Sequence, residues 1–144
     1  MRVLGLDLGT KTVGIAISDT LGLVAQGLET FTFKEERYEE ALNYVVNLIR
    51  QYEVTTVVLG YPKNMNGTVG ERGKVTEWFK DALENRIDVK VILWDERMTT
   101  MIAEQILLEA DLSRRKRKKV IDKMAAVVIL QSYLDAQYNK NKKG

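Results

Sequence analysis

The chain has no cysteine, no histidine and a single proline in 144 residues. Without thiols or imidazoles there are no disulfides, no cysteine nucleophile, no histidine base and none of the usual zinc ligands. Catalysis would have to rest on carboxylates, hydroxyls, Lys or Arg. No apolar run approaches the roughly 20 residues that a membrane helix needs. The first residues mix with charge too early for a secretory signal, so a soluble, cytoplasmic protein without a membrane partner is expected. One compact domain over residues 1–144 is expected as well, because a chain near 150 residues buries roughly two-thirds of its unfolded surface and leaves no room for a second.

What is present is charge, unevenly placed. The formal net charge is only +2, yet residues 1–112 carry 12 Lys or Arg against 18 Asp or Glu, whereas residues 113–144 carry 10 against 2. Arg114, Arg115, Lys116, Arg117, Lys118 and Lys119 are consecutive and lie inside the chain. That position suits contact with a polyanion better than it suits a solubilising tail, which would sit at the end. Six adjacent like charges repel one another, so the run is expected to be a mobile connection between the last two helices that orders on binding nucleic acid.

Apolar spacing outlines the elements. RVLGLDL and TVGIAISD read as strands joined by a Gly9-Thr10-Lys11 turn, and LVAQGLETF as a third; short connections make these three antiparallel. Tyr38, Ala41, Leu42, Val45, Ile49 and Tyr52 recur at helical spacing. VTTVVLG is a strand too apolar to face water. YPKNMNGTVGERG reads as a loop in which Pro62 fixes the exit from the strand, and Lys63, Asn64, Asn66 and Arg72 are able to reach phosphates. Val75, Trp78, Phe79, Ala82 and Leu83 mark another helix, and DVKVILWDE another strand. Ile102, Ala103, Ile106, Leu107 and Ala110 pattern a further helix, and Val120 to about Tyr138 the last. The order βββαβαβ followed by helices is an α/β arrangement.

Four acids are candidates for chemistry on this scaffold. Asp7 falls near the end of the first strand, Asp95 and Glu96 at the end of the last, and Asp122 at the start of the final helix. Strand C-termini of parallel neighbours share one edge, where ligands usually bind. Clustered carboxylates repel one another, and divalent cations relieve that; hard oxygen ligands suit Mg²⁺ or Mn²⁺. Two such ions, roughly 3.5–4 Å apart, activate water and stabilise the leaving oxygen in phosphodiester cleavage without any histidine. Asp95 and Glu96 are not separable by spacing. Strand alternation aims them at opposite faces, with a slight preference for Glu96 as the ligand while the other pairs with Arg97 or caps the next helix. Asp7 could instead cap a turn and Asp122 complement a helix dipole, but Asp122 stands among Val120, Ile121, Met124 and Ala125, bordering a buried face.

GLDLGTKTVGIAISD, LGYPKNMNGTVGERG, WDERMTT and IDKMAAVVILQSYLD together resemble, in order and spacing, the signatures of the YqgF family of Holliday-junction resolvases. The resemblance spans nearly the whole chain. It implies a ribonuclease H-like fold: a five-stranded mixed β-sheet, its first three strands antiparallel, flanked by α-helices. It also implies a divalent-metal nuclease site and a role at the 5′ end of precursor 16S ribosomal RNA. Position by position, it carries the metal ligands to Asp7, Glu96 or Asp95, and Asp122. Substrate contacts then fall to Lys11, Lys63, Asn64, Asn66, Arg72, Arg97, Arg114, Arg115, Arg117 and Lys118. Structured RNA or branched DNA is the expected partner, with a homodimer and ribosomal or transcription partners as further expectations. Two departures stand out: Lys11-Thr12 replaces the Lys-Arg frequent in the family, and VTTVVLG does not end in an acid as in some resolvases. GLDLGT also resembles the phosphate-binding turn of actin- and Hsp70-like ATPases, which need two domains to clasp a nucleotide. A nucleic-acid-binding module that keeps the acids without turnover is the remaining alternative.

Overall fold

The structure is a computed structural model describing residues 2–62, 70–95 and 114–143, with residues 114–123 and 141–143 described by their backbone alone. Its elements are β1 (Arg2–Leu8), β2 (Thr12–Ser18), β3 (Ala25–Thr32), α1 (Tyr38–Tyr52), β4 (Val54–Tyr61), α2 (Glu71–Arg86), β5 (Lys90–Asp95) and α3 (Arg114–Lys143). The sheet order is β3-β2-β1-β4-β5. β1 pairs antiparallel with β2, and β2 with β3, while β1 with β4 and β4 with β5 are parallel. The antiparallel start is the one that the strand spacing predicts, and the five-stranded mixed sheet is the one that the family resemblance implies.

Both faces of the sheet are covered, which is why VTTVVLG lacks a polar side. Val57 and Leu59 belong to one core with Leu4, Leu6, Ala41, Val45, Ile49, Phe79 and Leu83, between the sheet and α1 and α2. Val58 faces the other way, into a second core with Ala16, Ala126, Ile129, Leu130 and Leu134 of α3. Each fully buried Leu or Ile contributes about 1.5–3 kcal/mol by leaving water. Of the stripe predicted for α1, Ala41, Leu42, Val45 and Ile49 are buried, together with Val46 and Leu48, while Tyr38 and Tyr52 at its ends are half-buried. Among the described residues no helix is long and apolar enough to cross a membrane.

Two expectations are corrected. α3 starts at Arg114 and not at Val120, so residues 114–119 are the first turns of a helix and not a mobile connection. Lys and Arg are good helix formers, and a helix nucleated by the packed segment from Met124 onward propagates back through them. α2 starts at Glu71, so Arg72 and Gly73 lie in its first turn and not in a loop. The helix proposed around residues 102–110 lies outside the described residues.

α3 settles on β1 at Gly5. A Cβ there would stand 2.7 Å from Leu130 Cβ and 3.0 Å from the Ala126 carbonyl oxygen, neither of which is the flexible end of a side chain. Gly5→Ala should therefore destabilise the fold by about 1–3 kcal/mol through overpacking, seen as a lower midpoint in urea; an unchanged midpoint would mean that α3 is free to shift outward.

Candidate functional site

Alternation along β1 decides which way Asp7 faces. Leu4, Leu6 and Leu8 enter the core beneath α1 and α2. Val3 packs against the α3 core and Gly5 meets α3 itself, so Asp7, two residues on, belongs to the α3 face and is half-buried. Its partner across β2 is Gly14. On the other side Leu6 lies opposite Leu59, and one residue further the register brings Asp7 level with Gly60. Both cross-strand neighbours of the carboxylate thus lack side chains. Neither of these two strand positions presents a side chain toward Asp7.

Helix α3 runs toward this edge as its numbering falls. Ala126 and Leu130 sit over Gly5. Further along, the Gln131 side chain clamps the start of β3: its Oε1 accepts from the Ala25 N–H at 2.8 Å and its Nε2 donates to the Leu23 carbonyl at 2.9 Å. Ala25 pairs with Ser18, whose hydroxyl oxygen accepts from the Val3 N–H, so this clamp is level with the N-terminal end of β1. The turns before Ala126, including the one carrying Asp122, therefore extend toward the C-terminal end of β1, where Asp7 stands. Trp94 donates from Nε1 to Ser132 Oγ at 3.2 Å and fixes β5 to the same helix.

Asp95 is turned the other way. It pairs with Tyr61, whose hydroxyl donates to Glu77 Oε2 of α2 at 2.9 Å, while its neighbour Trp94 lies on the α3 side. Burial, then the Glu77 carboxylate, hold the Tyr61 hydroxyl above its ordinary pKa, so it remains a donor. Asp7 and Asp95 consequently lie on opposite faces. Glu96, Arg97, Lys63, Asn64 and Asn66 lie outside the described residues, as do the side chains of Asp122, Arg114, Arg115, Arg117 and Lys118.

The turn after Asp7 is held rigidly. Gly9 N donates to the Thr12 carbonyl at 2.7 Å, Glu36 N to the Thr10 carbonyl at 2.9 Å, and Phe33 N to the Lys11 carbonyl at 2.8 Å. The Lys11 side chain is exposed at this edge. Arg72 does not stand out as a phosphate arm; its Nη2 donates to the Leu8 carbonyl at 2.8 Å. Sequence spacing overlooks Gly14, Gly60 and Gln131. The two glycines gain meaning only from the register beside Asp7, whereas a lone Gln in the apolar segment AAVVILQSYL was a visible signal.

A mixed sheet in this order, helices on both faces and an acid at the end of its central strand define a ribonuclease H-like nuclease fold. A structure of T. thermophilus RuvC in complex with Holliday junction substrate is similar, with a TM-score of 0.60, 16% identity and 96% of each chain covered. So is the fowlpox virus Holliday junction resolvase, with a TM-score of 0.58, 18% identity, and 95% of this chain and 99% of that one covered. The model of the RuvX family, described as Holliday junction resolvase, matches residues 1–136, and the chain belongs to that family. A protein of Geobacillus sp. (strain WCH70), provisionally named a pre-16S rRNA nuclease, is 61% identical over 137 residues, covering 95% of this chain and 99% of its own. A Bacillus subtilis (strain 168) protein with the same name is 57% identical over 136 residues, covering 94% and 99%. The RuvX and YqgF families are one. The resemblance in the motifs thus reaches the family, its fold and its class of activity, hydrolysis of phosphodiester bonds.

Proposed function

We propose that this chain is a divalent-metal-dependent endonuclease, one domain over residues 1–144, that trims the 5′ end of precursor 16S rRNA. The observation that carries the reading is Asp7, held on the α3 face between Gly14 and Gly60 while the turn bearing Asp122 runs toward it. A hard carboxylate oxygen beside two positions without side chains fits an ion with its water shell. Asp7, Asp122 and Glu96 would hold Mg²⁺ or Mn²⁺, as two ions. Glu96 is preferred over Asp95 because Asp95 shares its face with Tyr61 and α2. Bound there, the ions supply an activated water and charge neutralisation at the leaving oxygen. The protein's own part is to fix the carboxylates on two rigid elements and to present the phosphodiester to them.

The N-terminal turns of α3 support the polyanion. Residues 114–119 put six cations at the end of a helix whose dipole is already positive and whose first turn has no acid. That arrangement is unfavourable alone and is relieved by phosphates. These turns lie about 5–12 Å along the helix axis from Asp122, so a backbone leading to the acids passes them. The names of the relatives favour the RNA reading. The family's description favours branched DNA as a second substrate.

Cleavage of precursor rRNA and of four-way DNA junctions, each with and without Mn²⁺, tests the proposal. Asp7→Asn and Glu96→Gln should each lose at least about a hundredfold in kcat while unfolding no earlier than the parent, since loss of an acid relieves repulsion. Asp95→Asn should retain most activity. Full activity in Asp7→Asn would discard the site. Replacing Arg114, Arg115, Arg117 and Lys118 by Gln should weaken binding and flatten the plot of log affinity against log salt by about 0.7–0.9 per lost phosphate contact. An unchanged slope would move nucleic-acid contact away from α3.

A further inference from the structure

The end of β1 lacks a ladder bond that its neighbour should supply. Val3 N donates to Ser18 Oγ and Gly9 N to the Thr12 carbonyl, so the odd-numbered residues of β1 direct their backbone groups toward β2. Leu4, Leu6 and Leu8 therefore direct theirs toward β4. Leu6 lies opposite Leu59; carried two residues further, the register sets Leu8 opposite Tyr61 and its carbonyl toward the backbone nitrogen of residue 62. That residue is Pro62, which has no N–H. Leu8 is only 6% exposed, and a buried carbonyl without a donor is costly.

The donor comes from the far side of the connection. Arg72 Nη2 reaches the Leu8 carbonyl at 2.8 Å. Thr76 Oγ1 donates to the Arg72 carbonyl at 2.9 Å and steadies the turn from which the guanidinium projects. Leu8, Gly9, Tyr38, Arg72, Val75 and Thr76 enclose a void of only about 10 Å³, so the side chain fills a packed junction. Residue 62 before the connection and residue 72 after it both converge on the strand end next to Asp7.

From this we infer that Arg72 is a positioning residue for phosphodiester cleavage: it replaces the ladder bond that Pro62 removes and thereby fixes Asp7, one residue back along β1. The inference rests on the proposed site at Asp7. It separates Arg72 from the phosphate-contacting role that its place beside the loop suggests. A guanidinium is well suited to the task, since it carries several donors in a fixed fork at the end of a long apolar stem.

The test exploits Pro62. Arg72→Met keeps the stem and removes the donor. It should weaken Mn²⁺ binding, read by titration of the free protein, and lower kcat by up to about a hundredfold with little change in KM. Adding Pro62→Ala returns a backbone N–H opposite Leu8, and the double variant should recover much of both losses. A raised KM with unchanged kcat and unchanged Mn²⁺ affinity would make Arg72 a substrate contact and overturn the inference. So would a double variant no better than Arg72→Met. Should Arg72→Met fail to fold, the double variant with Pro62→Ala should fold again and bind Mn²⁺, and a double variant that fails equally overturns the inference. Asp7→Asn, run alongside, separates the two readings: activity there defeats the site itself, whereas a dead Asp7→Asn beside a normal Arg72→Met defeats only the positioning role.

Discussion

Helix α3 lies so close to β1 at Gly5 that no side chain fits between them, and the candidate site depends on that contact. A missing Cβ lets the Ala126 carbonyl and the Leu130 side chain rest on the strand. The helix is then pinned just beyond that contact by Gln131 on the start of β3 and by Ser132 on Trp94. With three anchors on three strands, its direction across the sheet is set. The same direction carries its N-terminal turns, acid and basic run included, toward the end of β1.

The sheet serves as a rigid partition. One face is closed by α1 and α2 over a core of aliphatic side chains, and the other by α3 over a smaller one. An acid at the end of a strand takes its role from the face it occupies: Asp7 shares a face with α3, whereas Asp95 lies with Tyr61 and α2. Asp7 has Gly14 opposite it on β2, so that neighbour adds no side chain beside the carboxylate. Charge follows the same division: the part of the chain that builds the sheet with α1 and α2 is net negative, and the net positive part is α3.

Much of this was legible in the residues. The strands, α1 and the antiparallel start of the sheet follow from apolar spacing and connection length, since hydrophobic burial imposes periods of 2 and 3.6 on the chain, whereas the mixed sheet was implied by the family motifs. Asp7 was legible too, as a charge ending an apolar run. The start of α3 was misread because repulsion among six cations was weighed above their helix propensity and the packed segment that follows them. The start of α2 was placed too late for a similar reason: Gly70 and Gly73 suggest a loop, yet Gly73 is buried within the helix.

By itself, the sequence determined the elements, the chemistry available to a chain without Cys or His, and the family, because these depend on local periodicity and residue type. Only tertiary structure decided which acid faces which helix, because facing depends on register between strands distant in sequence. It also decided what Arg72 is for. That role arises from an N–H missing at Pro62, a carbonyl at Leu8 and a guanidinium 64 residues from it along the chain, three groups that nothing but the fold brings together.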